Sequence, residues 1–236
     1  MRPIIGITAP KSEETGYTEA TNKIFDYVQR SYSAQIRLAG GLPVLIPAAA
    51  EADGAYVQEL IDRLDGLYFT GGGKLHTAPG SNPLPLFEQQ PERSGWEQKL
   101  LRAAYAHDLP TLGVCRGHQM MAAVLGGSID PLRYPEHRQK EPSDVGTHMI
   151  HVEPDTRFSA IVGEADWLVN SLHVQRVDKI PAGFRAAAFA DDGTLEAMYA
   201  ENCRFFLSTQ FHPELMPQDP RAQKILRAFI EAASEK

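Results

Sequence analysis

The sequence has little cysteine, no excess of positive charge and no long hydrophobic run, and each shortage excludes a class of protein. Two of its 236 residues are cysteines, Cys115 and Cys203, too few for a disulfide framework or for a zinc site built from cysteine alone. Acidic residues outnumber basic ones by 30 to 23, which argues against a general nucleic-acid surface. No apolar stretch approaches the roughly 20 residues that span a bilayer.

The remaining composition is that of an ordinary globular protein. Hydrophobic residues make up 43% of the chain and charged residues 22%, which suits a buried core. Gly, Thr and Pro interrupt the apolar run at the start of the chain, so we expect neither a signal peptide nor a membrane anchor. We therefore expect a cytoplasmic protein without nucleic-acid or membrane partners. No change of composition marks a linker, which predicts one domain over residues 1–236.

Short apolar segments alternate with amphipathic stretches through the first half of the chain. The predicted strands are 3–8, 42–47, 67–70 and 111–114, and the predicted helices are 22–38, 54–64, 96–106 and a helix that begins near 118. In the second half the predicted strands are 148–152, 167–170, 184–189, 195–199 and 205–210, before a final helix at 220–233. This order predicts an α/β fold with a mostly parallel central sheet, helices on both faces, and extra antiparallel strands in the second half.

Cys115 lies where a predicted strand passes into a helix, within Gly113-Val114-Cys115-Arg116-Gly117. The pattern G-x-C-x-G is typical of a nucleophile elbow, in which small neighbours permit a strained turn that exposes the nucleophile. The helix N-terminus would also favour a thiolate. The alternative is a buried structural cysteine, which the two flanking glycines make the weaker interpretation. Cys203 lies in a polar turn without such a pattern, and we interpret it as incidental.

His212 is the leading candidate for the base that a nucleophilic thiol needs. It ends an apolar strand and begins His212-Pro213-Glu214. In an extended H-P-E segment the first and third side chains point the same way, so Glu214 would orient the imidazole. A solvated loop is the alternative interpretation.

The other histidines do not predict a metal site. His148 and His151 lie three residues apart on one predicted strand, and their side chains therefore point to opposite faces. His118 follows the elbow and is explained by packing or polarity alone.

Three glycines, Gly71-Gly72-Gly73, follow the third predicted strand. They lack the spacing of a phosphate-binding loop, and Lys74 is misplaced for a Walker motif. Their backbone N–H groups are candidates for stabilising an oxyanion opposite the elbow, where a Cβ atom would intrude. A flexible turn is the alternative.

Taken together, these residues resemble the class I glutamine amidotransferase-like superfamily, and more closely its γ-glutamyl hydrolase-type branch, which includes γ-glutamyl-γ-aminobutyrate hydrolases. The resemblance spans nearly the whole chain and rests on four segments in family order: Leu67-Tyr68-Phe69-Thr70-Gly71-Gly72-Gly73, Gly113-Val114-Cys115-Arg116-Gly117-His118-Gln119, Asn170-Ser171-Leu172-His173-Val174-Gln175 and Gln210-Phe211-His212-Pro213-Glu214. It implies a flavodoxin-like sheet and a catalytic domain without a cofactor or metal.

The resemblance also implies a role for each matching residue. Cys115 attacks the carbonyl of a γ-glutamyl amide, His212 transfers the proton, and Glu214 orients His212. A glutamyl thioester forms, an amine leaves, and water releases glutamate. The remaining roles follow the same matches: an oxyanion hole of Gly72 or Gly73 with Arg116, and substrate-binding positions at Gln119, Ser171 and His173.

Two departures leave the amine half of the substrate open. The branch often carries a second histidine where this chain has Val174, and an acidic residue where it has Lys74-Leu75-His76. Two other functions remain as alternatives: a glutaminase subunit that delivers ammonia to a separate synthetase chain, and a non-enzymatic protein that binds γ-glutamyl compounds. A homo-oligomer is also compatible with the sequence. The Pro-rich stretch 78–91 is equally compatible with a lid, a partner surface and a linker.

Overall fold

A computed structural model of the chain describes residues 1–12, 23–72, 86–130 and 134–235. The strands of these residues are β1 (Ile4–Thr8), β2 (Leu42–Ile46), β3 (Gly66–Phe69), β4 (Thr111–Val114), β5 (Ser128–Asp130), β6 (His148–Val152), β7 (Trp167–Val169), β8 (Arg176–Lys179), β9 (Phe184–Ala190), β10 (Leu195–Ala200) and β11 (Phe206–Thr209). The helices are α1 (Arg30–Leu38), α2 (Gly54–Ile61), α3 (Leu86–Gln89), α4 (Pro91–Ala106), α5 (Arg116–Val124), α6 (Arg157–Val162) and α7 (Pro220–Ser234). Short 3-10 turns lie at Pro135–His137 and Pro213–Leu215.

The central sheet has the strand order β2-β1-β3-β4-β11-β10-β9-β6-β7. Neighbours from β2 to β11 pair in parallel, whereas neighbours from β11 to β7 pair antiparallel. β5 and β8 form a separate antiparallel pair, which the sequence did not predict. The predicted α/β fold and the antiparallel strands of the second half are therefore confirmed. Of the helices in the described residues, none combines the length and hydrophobicity needed to cross a bilayer.

The sheet is buried on both faces, as a mostly parallel sheet must be. On one face α1, α6 and α7 contribute Ile36, Phe158 and Phe229 to a hydrophobic cluster. On the other face α2, α4 and α5 contribute Val57, Leu100 and Met120 to a second cluster. Every residue of the central strands β3, β4 and β11 is buried. The prediction of helices on both faces is confirmed.

The predicted helix 22–38 is shorter in the structure and begins at Arg30. The segment before Arg30 is not helical, because it hydrogen-bonds to the residues that follow β1. The Ser12 N–H donates to the Phe25 carbonyl at 2.9 Å, and the Tyr27 N–H donates to the Pro10 carbonyl at 3.1 Å. These bonds use the Phe25 carbonyl and the Tyr27 N–H, which the sequence prediction had placed within the helix. Residue 22 lies outside the described residues.

The Pro-rich stretch 78–91 is partly helical, which the sequence prediction missed. Residues 78–85 lie outside the described residues, but α3 follows directly and α4 begins at Pro91. Proline suits the first position of a helix because its missing N–H would have no intrahelical partner there. The predicted helix 96–106 therefore starts five residues too late.

The strand order brings three loops to one edge of the sheet. β3, β4 and β11 are parallel neighbours, so their carboxyl ends lie side by side. Gly71 follows β3, Cys115 follows β4, and His212 follows β11. Ligands of such sheets bind at this edge, and the candidate site lies there.

Candidate active site

Cys115 sits in a strained turn between β4 and α5. Its backbone has φ 52° and ψ −102°, a conformation that side chains other than glycine rarely adopt. A Cβ atom on Gly113 would lie 2.9 Å from the carbonyl carbon of Gly117, and a Cβ atom on Gly117 would collide with the carbonyl of Phe69. The two glycines of the predicted elbow are therefore required by the close approach of α5 to the sheet.

His212 and Glu214 lie together in the turn after β11. The Nδ1 atom of His212 is 2.7 Å from Oε1 of Glu214, and both residues are buried. The segment is a 3-10 turn at Pro213–Leu215, so the extended H-P-E conformation expected from the sequence is wrong. The turn closes when the Leu215 N–H donates to the His212 carbonyl at 3.2 Å, and it still brings the two side chains into contact.

The electrostatic environment favours a protonated His212. Burial lowers the pKa of His212, but the negative charges of Glu214 and Cys115, with hydrogen bonds to both, outweigh burial and raise that pKa well above its usual value. An imidazolium held between a carboxylate and a sulfur atom stabilises the thiolate form of a cysteine. The arrangement can thus supply both a nucleophile and a proton donor.

Asn170 fixes the backbone of His212, a role that the sequence did not reveal. The Asn170 side chain accepts from the His212 N–H at 2.8 Å and donates to the His212 carbonyl at 3.0 Å. Asn170 directly follows β7, the last strand in the sheet order, and is completely buried. Its place in the motif Asn170–Gln175 was the available signal, although that pattern alone does not show which residue it contacts.

The glycine loop packs against the catalytic edge at Gly71. A Cβ atom there would lie 2.8 Å from Cε1 of His212 and 2.9 Å from the Tyr32 hydroxyl. The Gly71 N–H donates to that hydroxyl at 2.8 Å, so this N–H already has a protein partner. At Gly72 an added Cβ would meet Arg116 at 3.9 Å, an ordinary contact. An added Cβ therefore collides with the protein itself at Gly71 but not at Gly72. Gly73 and Lys74 lie outside the described residues.

A buried network of charges holds the glycine loop in place. The Arg93 guanidinium donates to the carbonyls of Thr70 and Gly71 at 2.9 Å each and pairs with Glu97 at 2.8 Å. Arg116 also pairs with Glu97. Burial raises the pKa of Glu97, but the charges of Arg116 and Arg93 outweigh burial and lower it. Because its side chain is engaged here, Arg116 can face the thiol only through its backbone.

Two cavities flank His212. The smaller, about 70 Å³, is lined by Cys115 and by the predicted substrate residues Gln119 and His173. The larger, about 310 Å³, is lined by Tyr27, Val28, Leu172 and Leu215 among others. Gly72, Leu172 and His212 line both cavities.

Ser171 is not among the described residues that line either cavity. Its hydroxyl donates to the His137 carbonyl at 3.0 Å, and this bond links the loop of Ser171 to residue 137.

Cys203, the other cysteine, has an environment that does not favour a reactive thiolate. Burial and the nearby charge of Asp108 raise its pKa to about 11, which keeps it an unreactive thiol at neutral pH.

His148 and His151 point to opposite faces of β6, as predicted. His151 is exposed between Asp166 and Asp191, whereas His148 turns inward to Glu196. Two groups of described side chains have ligand atoms within 4.8 Å of one another, namely His137, His148 and Glu196, and Glu136, His137 and Asp192.

Comparisons with known proteins show the family of the chain. A family model described as Peptidase C26 matches residues 3–214. A candidate glutamine amidotransferase of Mycobacterium tuberculosis is 34% identical over 99% of this chain and 75% of its own length. A gamma-glutamyl-gamma-aminobutyrate hydrolase of Escherichia coli O157:H7 is 30% identical over 98% of this chain and 93% of its own length.

Among solved structures, the glutaminase domain of Trypanosoma brucei CTPS superimposes with a TM-score of 0.66 at 18% identity, covering 99% of this chain and 94% of that one. At this identity the likeness concerns the fold alone. The match to the family model covers most of the sequence, including the elbow and the His212–Glu214 turn. The chain therefore belongs to the Peptidase C26 family, the γ-glutamyl hydrolase-type branch of the class I glutamine amidotransferase-like superfamily.

Proposed function

We propose that the protein hydrolyses γ-glutamyl amides through Cys115, His212 and Glu214, releasing glutamate and an amine. The observation that carries this proposal is the strained elbow at Cys115 next to the buried His212–Glu214 pair. A backbone held in an unfavourable conformation persists where the surrounding structure enforces it, and such strain is concentrated at functional sites. The similarity to a gamma-glutamyl-gamma-aminobutyrate hydrolase supports the choice of the acyl group.

The first half of the reaction forms a thioester. The Cys115 thiolate attacks the γ-carbonyl carbon, and the carbonyl oxygen becomes an oxyanion near the backbone N–H groups of Gly72 and Arg116. His212 gives its proton to the amine nitrogen, the carbon–nitrogen bond breaks, and the amine leaves. Glu214 stabilises the imidazolium until that transfer occurs.

The second half restores the enzyme. His212, now neutral, takes a proton from water, and the resulting hydroxide attacks the thioester carbonyl. The carbon–sulfur bond breaks, glutamate leaves, and the thiolate and imidazolium are regenerated. Metal ions and cofactors have no part in this sequence of steps.

The two cavities suggest where each half of the substrate binds. We assign the glutamyl group to the smaller cavity, because Cys115, Gln119 and His173 line it. The amine half then extends past His212 into the larger cavity. Val28, Leu172 and Leu215 line that cavity together with Gln29, Tyr32 and Thr70, so it offers the amine half both apolar and polar contacts. γ-Glutamyl-γ-aminobutyrate is the first substrate to test, and γ-glutamyl derivatives of alkyl and aryl amines complete the panel.

The test is trapping of the acyl enzyme by mass spectrometry during incubation with this panel. We expect a glutamyl adduct on Cys115 and glutamate release by the isolated chain. Cys115→Ala should abolish both, while Cys203→Ala, which removes the other thiol, should retain both. A Cys115→Ala variant with unchanged turnover would refute the proposal. Ammonia release from glutamine that requires a partner chain would instead identify a glutaminase subunit, and binding without turnover would identify a binding protein.

A further inference from the structure

Arg93 lies in the first turn of α4, behind the glycine loop and outside the Cys115, His212 and Glu214 set. It is completely buried, and it is not among the described residues that line either cavity. Burial of an arginine is costly unless its N–H groups find acceptors. The acceptors that Arg93 meets therefore show what it holds in place.

All five N–H groups of the Arg93 guanidinium have an acceptor. Nε donates to Glu97 at 2.8 Å. Nη1 donates to the Gly71 carbonyl at 2.9 Å and to the Gln90 side chain at 3.0 Å, and Nη2 donates to the carbonyl and the hydroxyl of Thr70 at 2.9 Å each. Three of the five hydrogen bonds thus go to the two residues that directly follow β3.

The bond to the Gly71 carbonyl sets the direction of the Gly72 N–H. These two groups belong to one peptide unit, which is planar, and no peptide bond among the described residues is cis. In a trans unit the N–H points opposite to the carbonyl. Because Arg93 holds the carbonyl on the buried side, the N–H points away from that side, and Gly72 itself lines both cavities.

The Gly71–Gly72 peptide lies next to the nucleophile. A Cβ atom on Gly71 would be 3.6 Å from the Cβ atom of Cys115, and a Cβ atom on Gly72 would be 3.9 Å from that of Arg116. Gly72, Cys115 and Arg116 also line the smaller cavity together. Gly72 and Arg116 are the residues whose N–H groups stabilise the oxyanion in the reaction proposed above.

Glu97 connects the two sides of this oxyanion hole. One of its carboxylate oxygens accepts from Arg93 and, at 2.8 Å, from the Thr8 hydroxyl. The other oxygen accepts from the Arg116 guanidinium. A single buried carboxylate therefore ties the loop that carries Gly72 to the helix that begins at Arg116.

We infer that Arg93, held by Glu97, is a positioning residue of the oxyanion hole. It acts through the Gly71–Gly72 peptide and does not touch the reacting atoms. A donor that is already aimed at the developing charge needs no reorganisation in the transition state, and a hydrogen bond to the carbonyl also strengthens the N–H of the same peptide as a donor. This role rests on the proposed function, because the oxyanion forms only during acyl transfer to Cys115.

Arg93→Lys tests this role, because lysine keeps the positive charge beside Glu97 but offers three N–H groups in place of five. The readouts are kcat and KM for the best substrate of the panel above, and the rate at which iodoacetamide alkylates Cys115. We expect kcat to fall about 10- to 100-fold. KM should stay unchanged, which is the pattern of an interaction made only in the transition state. Alkylation forms no oxyanion, so its rate should also stay unchanged.

The matched control is Arg157→Lys. The Arg157 guanidinium also donates to two backbone carbonyls, those of Glu201 and Cys203. It is not among the described residues that line either cavity. Loss of this second pair of bonds should therefore leave kcat unchanged.

An unchanged kcat in folded Arg93→Lys would overturn the inference. Equal losses of kcat and of alkylation rate would also overturn it, since they would show a general disturbance of the site. If Arg93→Lys does not fold, Gln90→Leu removes one of the five acceptors and should lower kcat about 2- to 10-fold; an unchanged kcat there would be equally decisive. Absence of glutamate release by the unsubstituted chain would refute the proposed function itself, and this role with it, whereas the other outcomes leave that function standing.

Discussion

The charge of Glu214 is expected to control the reactivity of Cys115, and Glu214→Gln isolates that charge. The substitution keeps an oxygen 2.7 Å from Nδ1 of His212 but removes the negative charge. An adjacent opposite charge shifts a buried pKa by about 1–3 units, or about 1.4–4 kcal/mol. Glu214 raises the pKa of His212, so its loss destabilises the imidazolium that pairs with the thiolate. We expect alkylation of Cys115 at pH 7 to slow by roughly 10- to 1,000-fold.

The assay needs no substrate, because iodoacetamide reacts with the thiolate and peptide mass spectrometry separates Cys115 from Cys203. The pH dependence of alkylation shows in which direction the pKa of His212 moves. A raised pKa keeps His212 protonated above its ordinary value of about 6.5, and the stability from this pairing is present below that pH and lost as pH rises through the folded pKa. Glu214→Gln should move the loss to lower pH. The exposed Glu231→Gln serves as control. An unchanged alkylation profile in a folded Glu214→Gln protein would refute the reasoning.

Three further substitutions test the surroundings of the site. Gly71→Ala places a methyl group 2.8 Å from His212 and should lower glutamate release about 100-fold, whereas Gly72→Ala, with 3.9 Å of room, should lose far less; equal losses would contradict the steric argument. Asn170→Ala removes both bonds to the His212 backbone and should destabilise the protein by about 1–3 kcal/mol in urea unfolding; an unchanged midpoint would show that the clamp is dispensable. Glu97→Gln removes the negative charge that balances two buried arginines and should destabilise by about 3–5 kcal/mol, lowering the melting temperature by about 6–20 °C; a smaller shift would mean that the network is solvated.

Much of the fold was predictable because its signals are local. Alternation of apolar strands with amphipathic helices reports burial on both faces of a sheet, and it predicted the strands around the site within one or two residues. The tight turn at Cys115 was also predictable, since glycines two residues before and after a cysteine indicate that the helix packs closely against the strand. The start of α1 was misjudged, because the segment before it bonds to residues 10–12.

The surroundings of the site depend on contacts that no local pattern encodes. Asn170 and His212 are 42 residues apart, and Arg93 reaches a carbonyl 22 residues away. Glu196 adjoins His148 and His173 only in the folded chain. Sequence periodicity and turn chemistry thus predicted the strands and the nucleophile, since both are properties of neighbouring residues. The partners of each buried charge were decided by folding, since burial forces polar atoms from distant segments to satisfy one another.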